Sequence, residues 1–164
     1  MKVYKIFAQR KESTKWKSVK FYHAILKTHP TEDVFLRIQS KLIELDHKRL
    51  RYHDALAKLK ALKIPSDSNS EIQTLVKNLK AMTRRTATEH HEKYRKNNSK
   101  EALEIAEMYY SAYLSVFLAS MDERKETPEV QMYLAEVKRE LGKSKEASGL
   151  YKNVLESKDQ RYTK

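Results

Sequence analysis

The sequence predicts an all-α protein, and three observations carry that prediction. Only two glycines and three prolines occur in 164 residues, which leaves little material for tight strand-to-strand turns. The runs between these breakers are rich in Ala, Leu, Glu, Lys and Arg, the residues that lose least on entering a helix. Apolar residues recur at three- and four-residue spacing, as in Val34, Phe35, Ile38, Leu42 and Leu45, so they share one helix face. The length suits one domain, 1–164, since a domain takes roughly 100–200 residues; the stretch can equally be one piece of a longer polypeptide.

The elements follow in order. A first helical stretch runs from about Val3 to His29, with a break near Ser13-Thr14, and ends at Pro30, which forces the residue before it out of helical geometry. Thr31 is placed to cap the second helix, with Glu32 and Asp33 favouring its positive end. A third helix spans about Arg49 to Lys63 and buries Leu50, Ala55, Leu56, Leu59 and Leu62. Pro65-Ser-Asp-Ser-Asn-Ser is a loop, rich in side chains that compete for backbone hydrogen bonds. From Glu71 a long polar helix carries Ile72, Leu75, Val76, Leu79 and Met82, then becomes poor in apolar residues from Arg84 to Arg95. Asn97-Asn98-Ser99 turns the chain into an apolar helix over about Lys100 to Met121. Pro128 suits the first turn of the next helix, where its missing N–H is not needed. Gly142 supplies the last turn, before a final helix over about Lys143 to Glu156. Seven or eight helices result.

Charge is unevenly spread. Residues 1–98 hold 23 Lys/Arg against 10 Asp/Glu, and residues 99–164 hold 11 against 12, which together make the net charge of +12. A basic half suits an acidic partner: nucleic acid, an anionic surface or an acidic protein segment. Without cysteine there are no disulfides, thiolate zinc sites or cysteine nucleophiles. No run approaches the ~20 apolar residues of a spanning helix, and the first ten residues are too short an apolar run for a signal peptide. The expectation is a soluble protein, cytoplasmic, or periplasmic as part of a longer secreted chain.

One pattern recurs: a small residue, an aromatic or Leu one turn later, and an apolar residue nearly one turn further. It stands at Ser18-xxx-Tyr22-xx-Ile25-Leu26, Ala55-xxx-Leu59-xx-Leu62, Ala106-xxx-Tyr110-xx-Tyr113-Leu114 and Ala147-xxx-Tyr151-xx-Val154-Leu155. The small residue lets two helices approach, and the larger ones fill the space between them. Partner helices carry Leu42-Ile43, Leu134-Ala135 and, in the third unit, Ala87 or alternatively Tyr94. These residues resemble the second and first helices of tetratricopeptide (TPR) repeats, although the starting residues lie 37, 51 and 41 apart where the family's period is ~34. The stretches Glu107–Phe117 and Pro128–Ala135 also resemble bacterial cell-envelope TPR proteins. The resemblance implies a right-handed α-solenoid of about four hairpins, in which each pair's first helix lines a concave face. It also implies a scaffold or adaptor that binds a segment of another protein and is not an enzyme. An unrelated α-solenoid or a closed helical bundle would use the same pattern in its core.

By the register of that resemblance, the partner-binding residues are Arg37, Ser40, Glu44, His47 and Lys48 in the second unit. In the third they include Arg84, Thr88, His91 and Glu92, and in the last Glu129, Met132, Glu136, Arg139 and Glu140. Such a surface suits an extended or helical segment with carboxylates, because Arg37, Lys48 and Arg84 bring positive charge. The plainer reading makes all of them solvated helix faces.

Other chemistry is less well served. Lys2–Lys20 interleaves seven Lys/Arg with Tyr4, Phe7 and Trp16, and Lys77–Lys100 is also basic. The alternative function is therefore binding of nucleic acid or another anionic polymer by phosphate contacts and stacking. His90-His91 point about 100° apart on a helix and cannot share one ion unaided. His23, His29, His47 and His53 lack tight ligand spacing, so no metal or other cofactor is expected. No Gly-rich phosphate loop, nucleophile elbow or isolated carboxylate pair occurs.

Overall fold

The structure, a computed structural model, describes residues 19–28, 31–64, 69–117 and 126–157. The described residues form seven helices and no strand: α1 over residues 19–26, then α2 (Glu32–Lys48), α3 (Tyr52–Lys60), α4 (Ser70–Asn97), α5 (Lys100–Phe117), α6 (Glu126–Glu140) and α7 (Ser144–Glu156). The basic, aromatic segment Lys2–Lys17 and the prolines Pro30 and Pro65 lie outside the described residues.

Local chemistry sets the helix ends. Asn69 caps α4, its side-chain oxygen accepting from the Ile72 N–H at 2.9 Å. Ser99 does the same for α5, accepting from Ala102 N–H at 3.3 Å. Thr31 stands at the cap position of α2 but its side chain makes no capping bond, and Glu32 and Asp33 in the first turn favour the positive end of the helix. Pro128 lies in the first turn of α6, as its missing N–H allows.

Three tight turns join α2 to α3, α4 to α5 and α6 to α7, and each passes through a left-handed residue: Leu50 at φ 59°, Asn98 at φ 52° and Gly142 at φ 77°. At the end of α6, Lys143 N–H reaches the Lys138 carbonyl and Gly142 N–H the Arg139 carbonyl, a Schellman closure. The end of α2 repeats it residue for residue, with Arg51 N–H on Asp46 and Leu50 N–H on His47. Leucine thus occupies a position whose backbone costs an L-residue with a Cβ about 1 kcal/mol. Leu50, expected on a buried helix face, is instead 70% exposed in this turn.

Three helical hairpins result, α2–α3, α4–α5 and α6–α7. The small residues of the recurring pattern are buried within them: Ala55, Ala106 and Ala147 on the second helices, Ala87 and Ala135 on the first. Successive hairpins pack through α2 on α4, α3 on α5 and α5 on α6. The first helices run parallel. Arg37 meets Glu71 and His47 meets Thr86, so both α2 and α4 advance in the same direction. Lys80, Arg84 and Arg95 meet Glu126, Glu129 and Glu136, so α6 does likewise. With 28 residues, α4 is about 42 Å long. It is long enough to hold α2 against residues 71–86 and α6 against residues 80–95.

The core is one apolar cluster dominated by α5, whose Tyr109, Tyr110, Tyr113 and Phe117 are all fully buried. The polar stretch of α4 does not leave the core. Thr86, His90 and His91 are buried beside Ala87, which is why the helix continues through a segment poor in apolar residues.

Candidate functional site

A cleft runs along the seam of the first helices α2 and α4. One part, about 470 Å³, is lined by Arg37, Ile38, Ser40, Lys41 and Glu44 of α2, Glu71, Leu75, Asn78 and Leu79 of α4, and Tyr22 of α1. The adjoining part, about 350 Å³, shares Glu44, Asn78 and Leu79 and adds His47, Lys48, Met82 and Arg85. A separate hollow of about 270 Å³ lies at the far end of α4, against α6. It is lined by His91, Tyr94, Arg95, Asn98, Glu136, Arg139 and Glu140.

The floor of the α2–α4 cleft is apolar and its rim charged. Ile38 and Leu79 are buried, and Leu75 and Met82 half-buried, beneath the charged side chains. Arg37 forms a bidentate pair with Glu71. Each holds the other charged: the arginine raises its pKa on the carboxylate, and the Glu71 carboxyl falls below its usual range. Lys41 pairs with Glu44 at 3.1 Å along the helix. At the other end Lys48 is exposed and makes no ion pair among the described residues. Arg85, also exposed, is held only loosely to Glu89 at 3.6 Å. The cleft therefore grades from an apolar, charge-compensated end to a cationic end.

His47 closes the cationic end. The Thr86 hydroxyl lies 2.9 Å from the Met82 carbonyl and 2.8 Å from His47 Nε2, which ties the histidine ring to α4. The ring also packs edge-on against Tyr52 and Tyr109, at 5.3 and 5.7 Å between centroids. Burial pushes its pKa down, and the nearby Arg85 pushes it further. His47 is a neutral anchor for the α2–α4 seam.

The residues expected to bind a partner thus fall into three groups. Arg37, Ser40, Glu44, His47 and Lys48 come together along one cleft. Ser40 is buried there, its hydroxyl donating to the Leu36 carbonyl at 2.7 Å, so it shapes the floor. His91, Glu136 and Arg139 share the hollow at the far end. Burial lowers the pKa of His91, with Arg95 adding to the effect, and its ring lies edge-on to Tyr110. Arg84 and Met132 line neither space. Arg84 binds Glu129 of α6 at 2.6 Å and is partly exposed. Glu136 likewise accepts from Arg95 at 2.9 Å.

Half of the cleft was missed from sequence: Glu71, Leu75, Asn78, Leu79, Met82 and Arg85 all lie on α4 before Arg84 or beside it. Placing the third unit's first helix around Ala87 starts its lining at Arg84. The stripe Ile72, Leu75, Val76, Leu79 and Met82, read as one helix from Glu71, was the signal that the lining extends before Arg84.

Among the described residues no group of three His, Asp or Glu is arranged to hold a metal ion, and no helix is long and apolar enough to cross a membrane. Comparison with protein-family models, curated proteins and solved structures finds no match for this chain.

Proposed function

We propose that this protein is an interaction module of the TPR-like kind, a scaffold that holds a segment of another protein along the seam of its first helices. The observation that carries the reading is the continuous α2–α4 cleft, with an apolar floor and a cationic end at Lys48 and Arg85. An apolar floor rewards burial of a partner's side chains, while the cations select segments that bring carboxylates. Parallel first helices, each backed by an antiparallel second helix, are the arrangement such a scaffold needs. The mechanism is passive: the surface is preformed, and the partner supplies the ordering.

The alternative, a basic solenoid that binds nucleic acid or another anionic polymer, draws on the net charge of +12. Part of that charge is engaged internally, since Lys80, Arg84 and Arg95 of α4 face carboxylates of α6. The two readings separate by salt. Fluorescent peptides that combine Glu pairs with Leu, and a single-stranded oligonucleotide, are titrated at low and near-physiological salt. Phosphate contacts release counterions and weaken steeply as salt rises. The scaffold reading expects peptide binding that survives the higher salt and is lost in Lys48→Glu/Arg85→Glu. Oligonucleotide binding that survives, with no peptide bound, would replace it with the alternative.

A further inference from the structure

Two histidines stand side by side on α4, both buried, but only one has a hydrogen-bond partner. His90 Nδ1 lies 3.0 Å from the Thr86 carbonyl. His91 is 5% exposed, and neither of its ring nitrogens is bonded to a described residue. Among the described residues the side-chain atoms sealed from solvent without a partner are Gln39 Oε1 and Thr127 Oγ1, and the His91 nitrogens are not with them. The little surface that His91 keeps therefore includes its nitrogens, and it opens on the hollow that the ring lines between α4 and α6. Burial, helped by Arg95, lowers the pKa of the ring, so at neutral pH it offers one N–H and one bare nitrogen. A buried polar group in this position gains from any ligand that brings a hydrogen bond into the hollow.

The walls of the hollow carry both signs of charge in equal number. Arg95 Nη2 donates to Glu136 Oε2 at 2.9 Å, Arg139 Nη2 to Glu140 Oε1 at 2.8 Å, and the Tyr94 hydroxyl to Glu140 Oε2 at 3.3 Å. Each ion pair is a single contact, so each arginine retains N–H donors, and no described group donates to Glu136 Oε1. Both arginines are 60% exposed, which keeps the pairs weak enough to share with a ligand. A lone anion or a lone cation gains nothing from balanced walls, whereas a ligand that carries both charges can use both. The hollow also lies where the parallel helices α4 and α6 end, and their last turns bring partial negative charge that favours an ammonium.

We propose that this hollow is a binding site for a small polar zwitterion, an α-amino acid. Its carboxylate takes the spare N–H groups of the arginines, its ammonium meets Glu136 beside the helix ends, and His91 hydrogen-bonds to it from the floor. The volume, about 270 Å³, lies just under the roughly 300–1,000 Å³ of ordinary small-molecule pockets, so a ligand of this size suits it. No aliphatic side chain lines the space, which selects amino acids with polar side chains. The site stands apart from the α2–α4 cleft and does not rest on that cleft being a binding surface.

The test titrates the full chain with L-serine, L-glutamine, L-glutamate and L-leucine and follows the imidazole resonances by NMR, with His91 identified by the signals lost in His91→Gln. At least one of the polar amino acids should shift the His91 signals saturably and bind more tightly than L-leucine. The same amino acid with its amine acetylated, or with its carboxylate amidated, should bind about tenfold more weakly, since each change removes one charge-assisted contact. Arg139→Gln should weaken binding about tenfold and leave the thermal midpoint unchanged, because Arg139 pairs with its chain neighbour Glu140. Equal binding of the acetylated form would overturn the inference in favour of an anion site, and equal binding of the amide in favour of a cation site. Tightest binding by L-leucine would overturn the polar selection, and so would binding that ignores both Arg139→Gln and Glu136→Gln, by placing the ligand elsewhere. No saturable shift of His91 with any of the four would remove the site altogether.

Discussion

Helix α4 meets α2 on one side and α6 on the other, and the two seams use their charges differently. Against α6 the basic face of α4 is matched by carboxylates: Lys80 with Glu126 at 2.7 Å, Arg84 with Glu129 at 2.6 Å and Arg95 with Glu136 at 2.9 Å. Glu126 also accepts from the Tyr113 hydroxyl, and Tyr110 stacks on Tyr133 at 5.9 Å beneath the pairs. Behind that seam, burial raises the Glu107 pKa, but bonds from Lys143 and Lys138 outweigh it and keep the carboxyl below its usual range. Against α2 the same helix offers apolar residues and a few cations that α2 does not answer. One seam is bridged by complementary charge, with a hollow of about 270 Å³ at its far end; the other forms the larger, apolar-floored cleft. The uneven charge of the sequence is in this sense partly internal, because cations of the basic half neutralise carboxylates of the other.

The comparison can be broken most severely at the closed seam. Tyr110→Ala would empty the space between His91 and Tyr133 and should cost about 4 kcal/mol in urea unfolding. A loss below about 1 kcal/mol would show that the α6–α7 hairpin is not held by this packing.

A smaller effect compares the hairpin turns themselves. Gly142→Leu should destabilise by about 1 kcal/mol, the cost of a left-handed L-residue. Nothing lies within 4 Å of a Cβ built at Gly142, so the penalty there is backbone conformation alone. Equal stability of Gly142→Leu and wild type in thermal melts would refute the strain assigned to the matching turn at Leu50.

Acidification tests both seams together. Burial lowers the pKa of His47 on the open side and of His91 on the closed side. In the unfolded chain each takes up its proton near pH 6.5, while in the folded chain uptake is delayed to lower pH. Their contribution is therefore complete above that pH and declines as pH falls through it towards the folded values. The groups facing His47 are Arg85, His90, Glu89, Tyr52 and Tyr109; those facing His91 are Arg95, Glu136, Glu140, Glu92 and Tyr110. Thermal midpoints should drop by a few degrees between about pH 7.5 and about pH 5.5. His47→Gln and His91→Gln should each flatten that slope, and an unchanged slope in both would assign it to other groups.

The smallest effect is the worth of one seam pair. Arg84 and Glu129 are partly exposed, 37% and 23%, so water screens them. A double-mutant cycle to Ala should give a coupling of about 0.5 kcal/mol that shrinks in high salt. No coupling at any salt would reduce the ladder to incidental geometry.

Much of the architecture was legible in the residues. The stripe Val34 to Leu45, the breaker at Gly142 and the small residues Ala55, Ala106 and Ala147 place the three described hairpins. The second-unit residues Arg37, Ser40, Glu44, His47 and Lys48 line one cleft, because helical spacing puts them on one face. Less legible were Leu50, read as a core residue from its apolar type, and the histidines His90 and His91, whose burial beside Tyr52 and Tyr110 depends on aromatic neighbours supplied by other helices.

The division has a physical origin. Helix formation, capping and the places where the chain turns depend on residues within a few positions of one another, and the sequence by itself determined those. Which charges remain for a partner depends on pairs such as Lys80 with Glu126, 46 positions apart, and Arg37 with Glu71, 34 apart. Only packing brings such residues within hydrogen-bond distance. The tertiary structure alone therefore decided that Arg84 pairs with Glu129 of α6, that Lys48 is exposed at the end of a cleft, and that Leu50 is exposed in the α2–α3 turn.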